Sequence, residues 1–135
     1  MADFFDNDQY DRWMKHAERT LESAINDSSS GFYSWACFKA QQASEFAVKA
    51  YLRGIGMNTF GHAVSLLLQN AGFNKNVINT AMIVDKYYIP TRYTDAWSEG
   101  IPDDYYNHND SEKAIEAAES IIEEVKLKWK SLKEE

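Results

Sequence analysis

The chain has 135 residues, a mass of 15.5 kDa and a formal net charge of -7. Its length fits one domain with one core, and 14% aromatic residues supply enough apolar area to exclude a disordered chain. No apolar run approaches the roughly 20 residues that cross a bilayer, and the acidic start lacks the basic residues of a secretory signal. The charge argues against unspecific nucleic-acid binding, and the single cysteine, Cys37, excludes a disulfide framework and a cysteine-rich zinc site. We therefore expect a single cytoplasmic domain over residues 1–135, without a cofactor or a metal.

The first predicted helix covers residues 8–26, with Asp8 as its N-cap. Apolar residues recur in it at helical spacing: Trp13, Ala17, Leu21 and Ala24. Turn-forming polar residues follow in the run Asn26-Asp27-Ser28-Ser29-Ser30-Gly31 and predict where the helix ends.

The second predicted helix, residues 32–54, is expected to be the centre of the fold. Small side chains form a strip along it at alternating spacings of four and three: Ala36, Ala40, Ala43, Ala47, Ala50 and Gly54. Such a strip lets a neighbouring helix approach closely. Cys37 is expected to be buried in this helix, because free cysteine is among the most buried residue types. Glu45 and Lys49 are spaced to pair on one helix face.

Two shorter helices are predicted after the glycines that end the second one. The third helix is capped by Thr59 and contains His62, and the fourth covers residues 76–88. At the start of a helix, a histidine such as His62 can cap or pack, and it can also serve a functional site. The pattern leaves both interpretations open.

A loop and a last helix complete the chain. The loop, residues 88–109, contains both prolines, and loops of this length in a small bundle tend to be functional. The last helix begins after it, with Asn109 or Asp110 as its cap. Alternating strand patterns are hard to find anywhere in the chain. The sequence thus predicts an all-α, up-and-down bundle of about five helices with one long loop before the last helix.

Signatures of common catalytic sites are missing from the sequence. It has no phosphate-binding loop, no dinucleotide fingerprint, no zinc-protease helix and no nucleophile elbow. Four polar features remain: Glu45 and Lys49 with Gln42, then His62, then the loop run Arg92-Tyr93-Thr94-Asp95, then His108. Each of them also has a purely structural interpretation, such as a solvated strip, a helix cap, a salt bridge that pins the loop, or an inert group at a helix start.

The order of these features along the chain is informative. It runs Gln42-Ala43-x-Glu45-x-x-x-Lys49-Ala50, then His62 before Leu66-Leu67, then Arg92-Tyr93-x-Asp95-Ala96, then Ala114 with Ala117, Ala118, Ile121 and Ile122. In this order the sequence resembles the HEPN family, from about residue 13 to residue 125. One position departs from the family, which commonly has proline where this chain has Thr94.

The resemblance implies a prokaryotic helical domain that is often a symmetric dimer. Small HEPN proteins are frequently paired with a minimal nucleotidyltransferase in a toxin–antitoxin-like system, and the family name refers to proposed nucleotide binding. From the resemblance we expect a homodimer that binds such a nucleotidyltransferase, with a nucleotide or RNA as its candidate ligand and without membrane association.

Ribonuclease activity is the alternative that the resemblance implies. Many members are metal-independent ribonucleases with an Arg-x(4–6)-His motif, but Arg92 is followed by no histidine in that window. A ribonuclease would then need Arg92 together with His108 or His62 as the acid–base group. We expect little or no such activity.

A polar groove is predicted to carry the binding function, whether for a ligand or for a partner. Its expected members are Glu45, Lys49, His62, Arg92, Tyr93 and Asp95. Charged groups on a mostly buried helix must find partners, and the planar fork of Arg92 suits a carboxylate such as Glu45 or Asp95. In a third interpretation, Lys49 and Arg92 hold the phosphates of a nucleotide.

Overall fold

The structure, a computed structural model, describes residues 5–134. Its elements in chain order are α1 (Asn7–Ser29), α2 (Tyr33–Gly54), α3 (Val64–Asn70), α4 (Lys75–Asp85), 3₁₀ turns at Thr94–Ala96 and Pro102–Tyr105, and α5 (His108–Lys133). Residues 5–134 contain no β-strand, so the predicted all-α bundle of five helices is confirmed. In the same part of the chain, no helix is both long and apolar enough to cross a membrane.

The helix α2 lies at the centre of the fold, as predicted, because it contacts each of the other four helices. The alanines of its small-residue strip are all fully buried, and so is Cys37. The strip is a steric requirement at Gly54, where an added Cβ atom would lie 2.5 Å from the ring of Trp129. Around it, fully buried side chains such as Leu52 and Ile121 each stabilise the fold by about 1.5–3 kcal/mol.

The start of α1 differs from the prediction by one residue and by its cap. Asp6, rather than Asp8, is the N-cap, since its Oδ1 accepts a hydrogen bond from the backbone N–H of Gln9 at 3.1 Å. Asp8 lies in the first turn instead, where its negative charge suits the positive end of the helix dipole.

The end of α1 lies beyond the predicted stop at Asn26. The helix continues to Ser29, because Ser28 is buried and its hydroxyl shares a 2.7 Å hydrogen bond with that of Ser111 in α5. Gly31, with φ of +86°, then provides the left-handed residue that ends the turn. A tertiary contact therefore overrides the local preference of the serine run for turns.

The cap of α5 is Asn107, not Asn109 or Asp110 as predicted. The Asn107 side chain accepts from the Asp110 N–H at 3.0 Å, and the Asp110 carboxylate accepts from the Asn107 N–H at 2.9 Å. This reciprocal pair satisfies two backbone donors at once and places His108 in the first turn of the helix.

The short helix α3 is capped from a distant part of the chain. It begins at Val64, so Thr59 does not cap it and His62 precedes the helix instead of lying within it. The carboxylate of Asp85, the last residue of α4, accepts from the backbone N–H of Val64 at 2.7 Å and from that of Ser65 at 3.2 Å. Such a remote cap has no local sequence signal.

The helices α2 and α4 differ from their predicted bounds mainly at one end. Helix α2 begins one residue later than expected. Helix α4 begins one residue early, because Asn74 caps it by accepting from the Val77 N–H at 3.0 Å, and it ends three residues before the predicted position 88.

Candidate functional site

Glu45 and Lys49 form a buried ion pair, one turn apart on α2. The ammonium nitrogen of Lys49 lies 2.9 Å from Oε2 of Glu45, and Lys49 and Glu45 are 9% and 3% exposed. The sequence spacing predicted the pair, and the structure adds that both charges lie inside the protein. A buried charge without a partner costs several kcal/mol, so each of the two groups requires the other.

Three more side chains, Gln41, Gln42 and His62, complete what we call the polar cluster. The amide groups of Gln41 and Gln42 donate to Oε1 of Glu45 at 3.2 and 3.3 Å. Gln41 also donates to the carbonyl oxygen of His62 at 3.0 Å, which ties α2 to the segment before α3. Gln41 is fully buried and was not predicted as a site residue, although its position one turn before Glu45 was a usable signal.

His62 is the most exposed member of the polar cluster. Its Nδ1 atom lies 3.1 and 3.3 Å from the two carboxylate oxygens of Glu45, while 52% of its side chain is exposed. A carboxylate only accepts hydrogen bonds, so Nδ1 donates, and the neutral ring keeps its lone pair on Nε2. The ring lines two cavities, one of about 360 Å³ beside α3 and one of about 350 Å³ beside the end of α4. A ligand in either cavity can therefore reach the His62 ring, whose Nε2 is free to accept a hydrogen bond.

Arg92 lies among aromatic rings. Its guanidinium carbon is 4.3 Å from the ring centre of Phe38, 4.4 Å from that of Tyr88 and 4.8 Å from that of Tyr93. Its Nε donates to the carbonyl oxygen of Tyr88 at 2.8 Å. Ring faces attract a cation, by about 0.5–2 kcal/mol for each contact, so this environment holds the charge without a carboxylate.

The predicted contact of Arg92 with Glu45 or Asp95 is not formed. Neither carboxylate shares a hydrogen bond or an ion pair with Arg92 in the described residues. The Glu45 carboxylate is instead satisfied within the polar cluster, and Asp95 is exposed in the first 3₁₀ turn. A carboxylate was the partner expected from the sequence, because the convergence of three aromatic rings on Arg92 is a tertiary contact without a local signal.

Tyr88 connects the polar cluster with Arg92. The His62 ring stacks on that of Tyr88 with 4.3 Å between ring centres and 17° between planes, and Arg92 contacts the same tyrosine. Glu45, Lys49 and His62 thus form one connected group, which Arg92 joins through Tyr88. Sequence reasoning missed Tyr88, since it stood at the end of a predicted helix without any charge or spacing to mark it.

The segment that carries Arg92, residues 86–107, is ordered by its own aromatic side chains, and we call it the Arg92 loop. The indole N–H of Trp97 donates to the carbonyl oxygen of Pro90 at 2.7 Å. The same ring stacks on Tyr105 with 3.9 Å between centres and 9° between planes. The loop therefore presents a fixed surface.

The two ends of the Arg92 loop are anchored on a small apolar cluster around Cys37. Tyr87 and Tyr106 pack there, with 6.0 Å between their ring centres. Burial raises the pKa of the Cys37 thiol to about 12, and the carboxylates of Asp110 and Asp103 add to the effect. Burial also raises the pKa of each of the two tyrosines to about 12. A thiol with so high a pKa is not a nucleophile at neutral pH, so Cys37 has a structural role.

His108 lies apart from this site. Its Nε2 is 3.6 Å from a carboxylate oxygen of Glu112, and its ring meets the edge of Tyr33 with 6.0 Å between centres. In the described chain no contact joins His108 to Arg92. Of the two histidines considered as partners of Arg92, His62 is the one that the structure connects to it.

The comparisons with known proteins agree with this architecture. The HEPN domain profile matches residues 10–128. A crystal structure of TT1696 from Thermus thermophilus is 34% identical, covers 89% of this chain and 98% of its own, and superposes with a TM-score of 0.85. That of ST0689, an archaeal HEPN homologue, is 39% identical, covers 88% and 96%, and gives 0.78.

A third structure, of the HEPN domain protein TM0613 from Thermotoga maritima, is 32% identical with a TM-score of 0.69, and covers 85% of this chain and 94% of its own. No curated protein matches the chain. Since the profile spans most of the sequence and three solved structures share more than 30% identity over nearly their full lengths, the chain belongs to the HEPN domain family.

Proposed function

We propose that this chain is a non-catalytic HEPN subunit that forms a homodimer and binds a minimal nucleotidyltransferase in a cytoplasmic, toxin–antitoxin-like pair. The Arg92 loop is the surface that meets the nucleotidyltransferase. Its Arg92 and Asp95 provide the polar contacts, and Tyr93 provides an aromatic one.

The order of the Arg92 loop is the observation that carries this proposal. Arg92 lies among three rings, Tyr93 is half exposed, and Asp95 is exposed. Arginine and tyrosine are enriched at protein interfaces and frequently dominate their binding energy. Because the stacked Trp97 already fixes the loop, binding costs little conformational entropy.

Co-expression tests this proposal. The gene beside that of this chain is read for a minimal nucleotidyltransferase, which is then produced together with the chain and carries the affinity tag. We expect the two proteins to purify together, and Arg92→Ala or Asp95→Ala to weaken the complex by about tenfold or more. Glu119→Ala, an exposed position on α5, is the matched control and leaves binding unchanged. Failure of the wild-type pair to associate, or full binding by both loop variants, would contradict the proposal.

A nucleotide is the proposed small ligand of the same region. Lys49 is buried and paired with Glu45, so the earlier expectation that it holds a phosphate has no free cation to rest on. Arg92 is the group left to contact phosphate oxygens, while Nε2 of His62 accepts hydrogen bonds and suits a hydroxyl or amino group of the nucleotide. Calorimetric titration with ATP is expected to give binding that Arg92→Ala weakens, and a wild-type titration without heat would remove the nucleotide from the proposal.

A metal-independent ribonuclease is the second candidate function, and the link from Glu45 through His62 and Tyr88 to Arg92 favours it. In such a reaction Nε2 of His62 accepts the proton of the 2′-hydroxyl, and the 2′-oxygen attacks the phosphorus while Arg92 stabilises the developing charge. The P–O5′ bond breaks, and the leaving 5′-oxygen takes a proton from water. Cleavage of RNA in the presence of a chelator is the test. Loss of cleavage in Arg92→Ala and His62→Ala, but not in His108→Ala, would make the chain an enzyme. We expect the wild-type protein to cleave RNA weakly or not at all.

A further inference from the structure

The cavity of about 360 Å³ beside α3 combines an apolar floor with an exposed apolar rim. Leu52 of α2 and Leu67 of α3 line it and are both buried. Three large side chains around it remain in water, since Phe60 is 91% exposed, Leu66 58% and Met57 42%. Apolar surface that is gathered around a concave site, and not scattered singly, is typical of a binding site.

The lining of this cavity carries no formal charge when the His62 ring is neutral. Within residues 5–134, no Asp, Glu, Lys or Arg lines it, although these residue types make up 26% of the chain. The cavity beside the end of α4 differs, because Asp85 and Lys86 line it. A phosphate, a carboxylate or an ammonium group that enters an uncharged cavity loses its water and gains no partner. The cavity beside α3 therefore suits a neutral group.

Three polar side chains line the same cavity: Asn58, His62 and Asn70. Because its Nδ1–H is donated to Glu45, the neutral ring of His62 has an acceptor on Nε2 and no further N–H donor. The amide groups of Asn58 and Asn70 each donate and accept, and both side chains are exposed. The matching ligand therefore has a group that donates to His62 and an edge that pairs with an amide.

We propose that this cavity binds adenine, as the base of the nucleotide in the proposed function, on which this inference rests. The exocyclic amino group of adenine donates to Nε2 of His62. The faces of the base lie against the apolar side chains, and Phe60 is the aromatic ring on which it stacks. The asparagine amides supply the hydrogen bonds by which such a side chain recognises adenine. Hypoxanthine has a carbonyl oxygen in place of the amino group, and that oxygen would face the lone pair of Nε2.

Arg92 lies within reach of a nucleotide whose base occupies the cavity. The ring centre of Tyr88 is 4.3 Å from that of His62 and 4.4 Å from the guanidinium carbon of Arg92. The imidazole and the guanidinium are therefore no farther apart than these two distances together, which the ribose and phosphates of a nucleotide span. The site is thus divided by chemistry, with a neutral cavity for the base and a cation outside it for the phosphates.

Calorimetric titrations with three probes test the cavity: ATP, ITP and inorganic triphosphate. ITP has a carbonyl oxygen where ATP has the amino group, and triphosphate has no base. We expect ATP to bind at least tenfold more tightly than either of the others, because a site that pairs with an amino group rejects a ligand without one. Equal affinities for ATP and triphosphate would overturn the cavity as a base site. Equal affinities for ATP and ITP would overturn the choice of adenine and the role of His62.

Two variants of the cavity provide the second measurement. Phe60→Ala removes an exposed ring, so it is expected to weaken ATP binding about tenfold and to leave the affinity for triphosphate unchanged. His62→Phe keeps a ring that can stack on Tyr88 but has no acceptor, so ATP and ITP should then bind alike. Leu127→Ala, at an exposed apolar position of α5, is the matched control, and circular dichroism checks the fold of each variant. ATP binding that Phe60→Ala leaves intact overturns the cavity and leaves the nucleotide at Arg92 standing, whereas a wild-type chain that binds no ATP overturns both.

Discussion

The polar cluster and the Arg92 loop hold their charged side chains in opposite ways. In the polar cluster, the carboxylate of Glu45 pairs with Lys49 inside the protein and accepts hydrogen bonds from three further side chains. In the Arg92 loop, the guanidinium is held by ring faces and one carbonyl, and Asp95 faces water. The difference separates framework from surface: the first region stabilises the bundle, and the second holds charge at the surface that we propose for the partner.

The largest effect is expected from Glu45→Ala. This change leaves the ammonium group of Lys49 buried without its partner, so it should lower the free energy of unfolding by about 3–5 kcal/mol. Urea unfolding followed by circular dichroism measures the loss. The double variant Glu45→Met with Lys49→Met removes both charges and is expected to recover most of the stability. A loss below about 1 kcal/mol in the single variant is the size expected for an exposed ion pair, and it would contradict the structural role of Glu45.

A smaller effect is expected at Asp85, which lies between the two regions. Asp85→Ala removes the carboxylate that caps α3 just after His62, and we expect a loss of about 1–2 kcal/mol. The matched control Glu119→Ala should change stability by less than about 0.5 kcal/mol. Equal stabilities of the two variants would show that the remote cap does not hold α3 in place.

Alkaline pH is expected to weaken the anchor of the Arg92 loop. The pKa of the Cys37 thiol rises from 9.0 to about 12 on folding, so above pH 9 the unfolded chain releases a proton that the folded chain retains. The stabilising contribution is complete below pH 9 and is lost as the pH rises towards 12. Between pH 8 and pH 10 the loss from this group is about 1 kcal/mol. The urea midpoint should fall less between pH 8 and pH 10 in Cys37→Ala than in the wild type. An equal fall in both proteins would contradict the assignment.

Local patterns in the sequence were sufficient for the helices and for the Glu45–Lys49 pair. The strip from Ala36 to Gly54 identified α2 as the central helix, because small residues at helical spacing have a direct packing consequence. The i,i+4 spacing likewise placed Glu45 and Lys49 side by side, since helical geometry alone brings such positions together.

Contacts between segments that are distant in the sequence could not be predicted from local patterns. The cap of α3 comes from Asp85, which is more than twenty residues from Val64. The ring that joins His62 to Arg92 is that of Tyr88, which is also more than twenty residues from His62. Nothing in the local composition distinguishes Tyr88 from the neighbouring Tyr87. The candidate site was therefore predicted in its helical half, while its loop half depended on a tertiary arrangement of aromatic rings.

The smallest effect on stability is expected from Asp95→Ala, because this side chain belongs to the surface of the Arg92 loop. Asp95 is exposed and has no ion pair in residues 5–134, so the free energy of unfolding should change by less than about 0.5 kcal/mol. Binding to the nucleotidyltransferase, measured by calorimetry, should nevertheless fall, and Glu99→Ala on the same loop should leave it intact. A variant that loses stability as well as binding would make Asp95 part of the framework. If Asp95→Ala keeps both the stability and the binding of the wild type, the carboxylate is not part of the partner surface, because it then contributes neither to the fold nor to the complex.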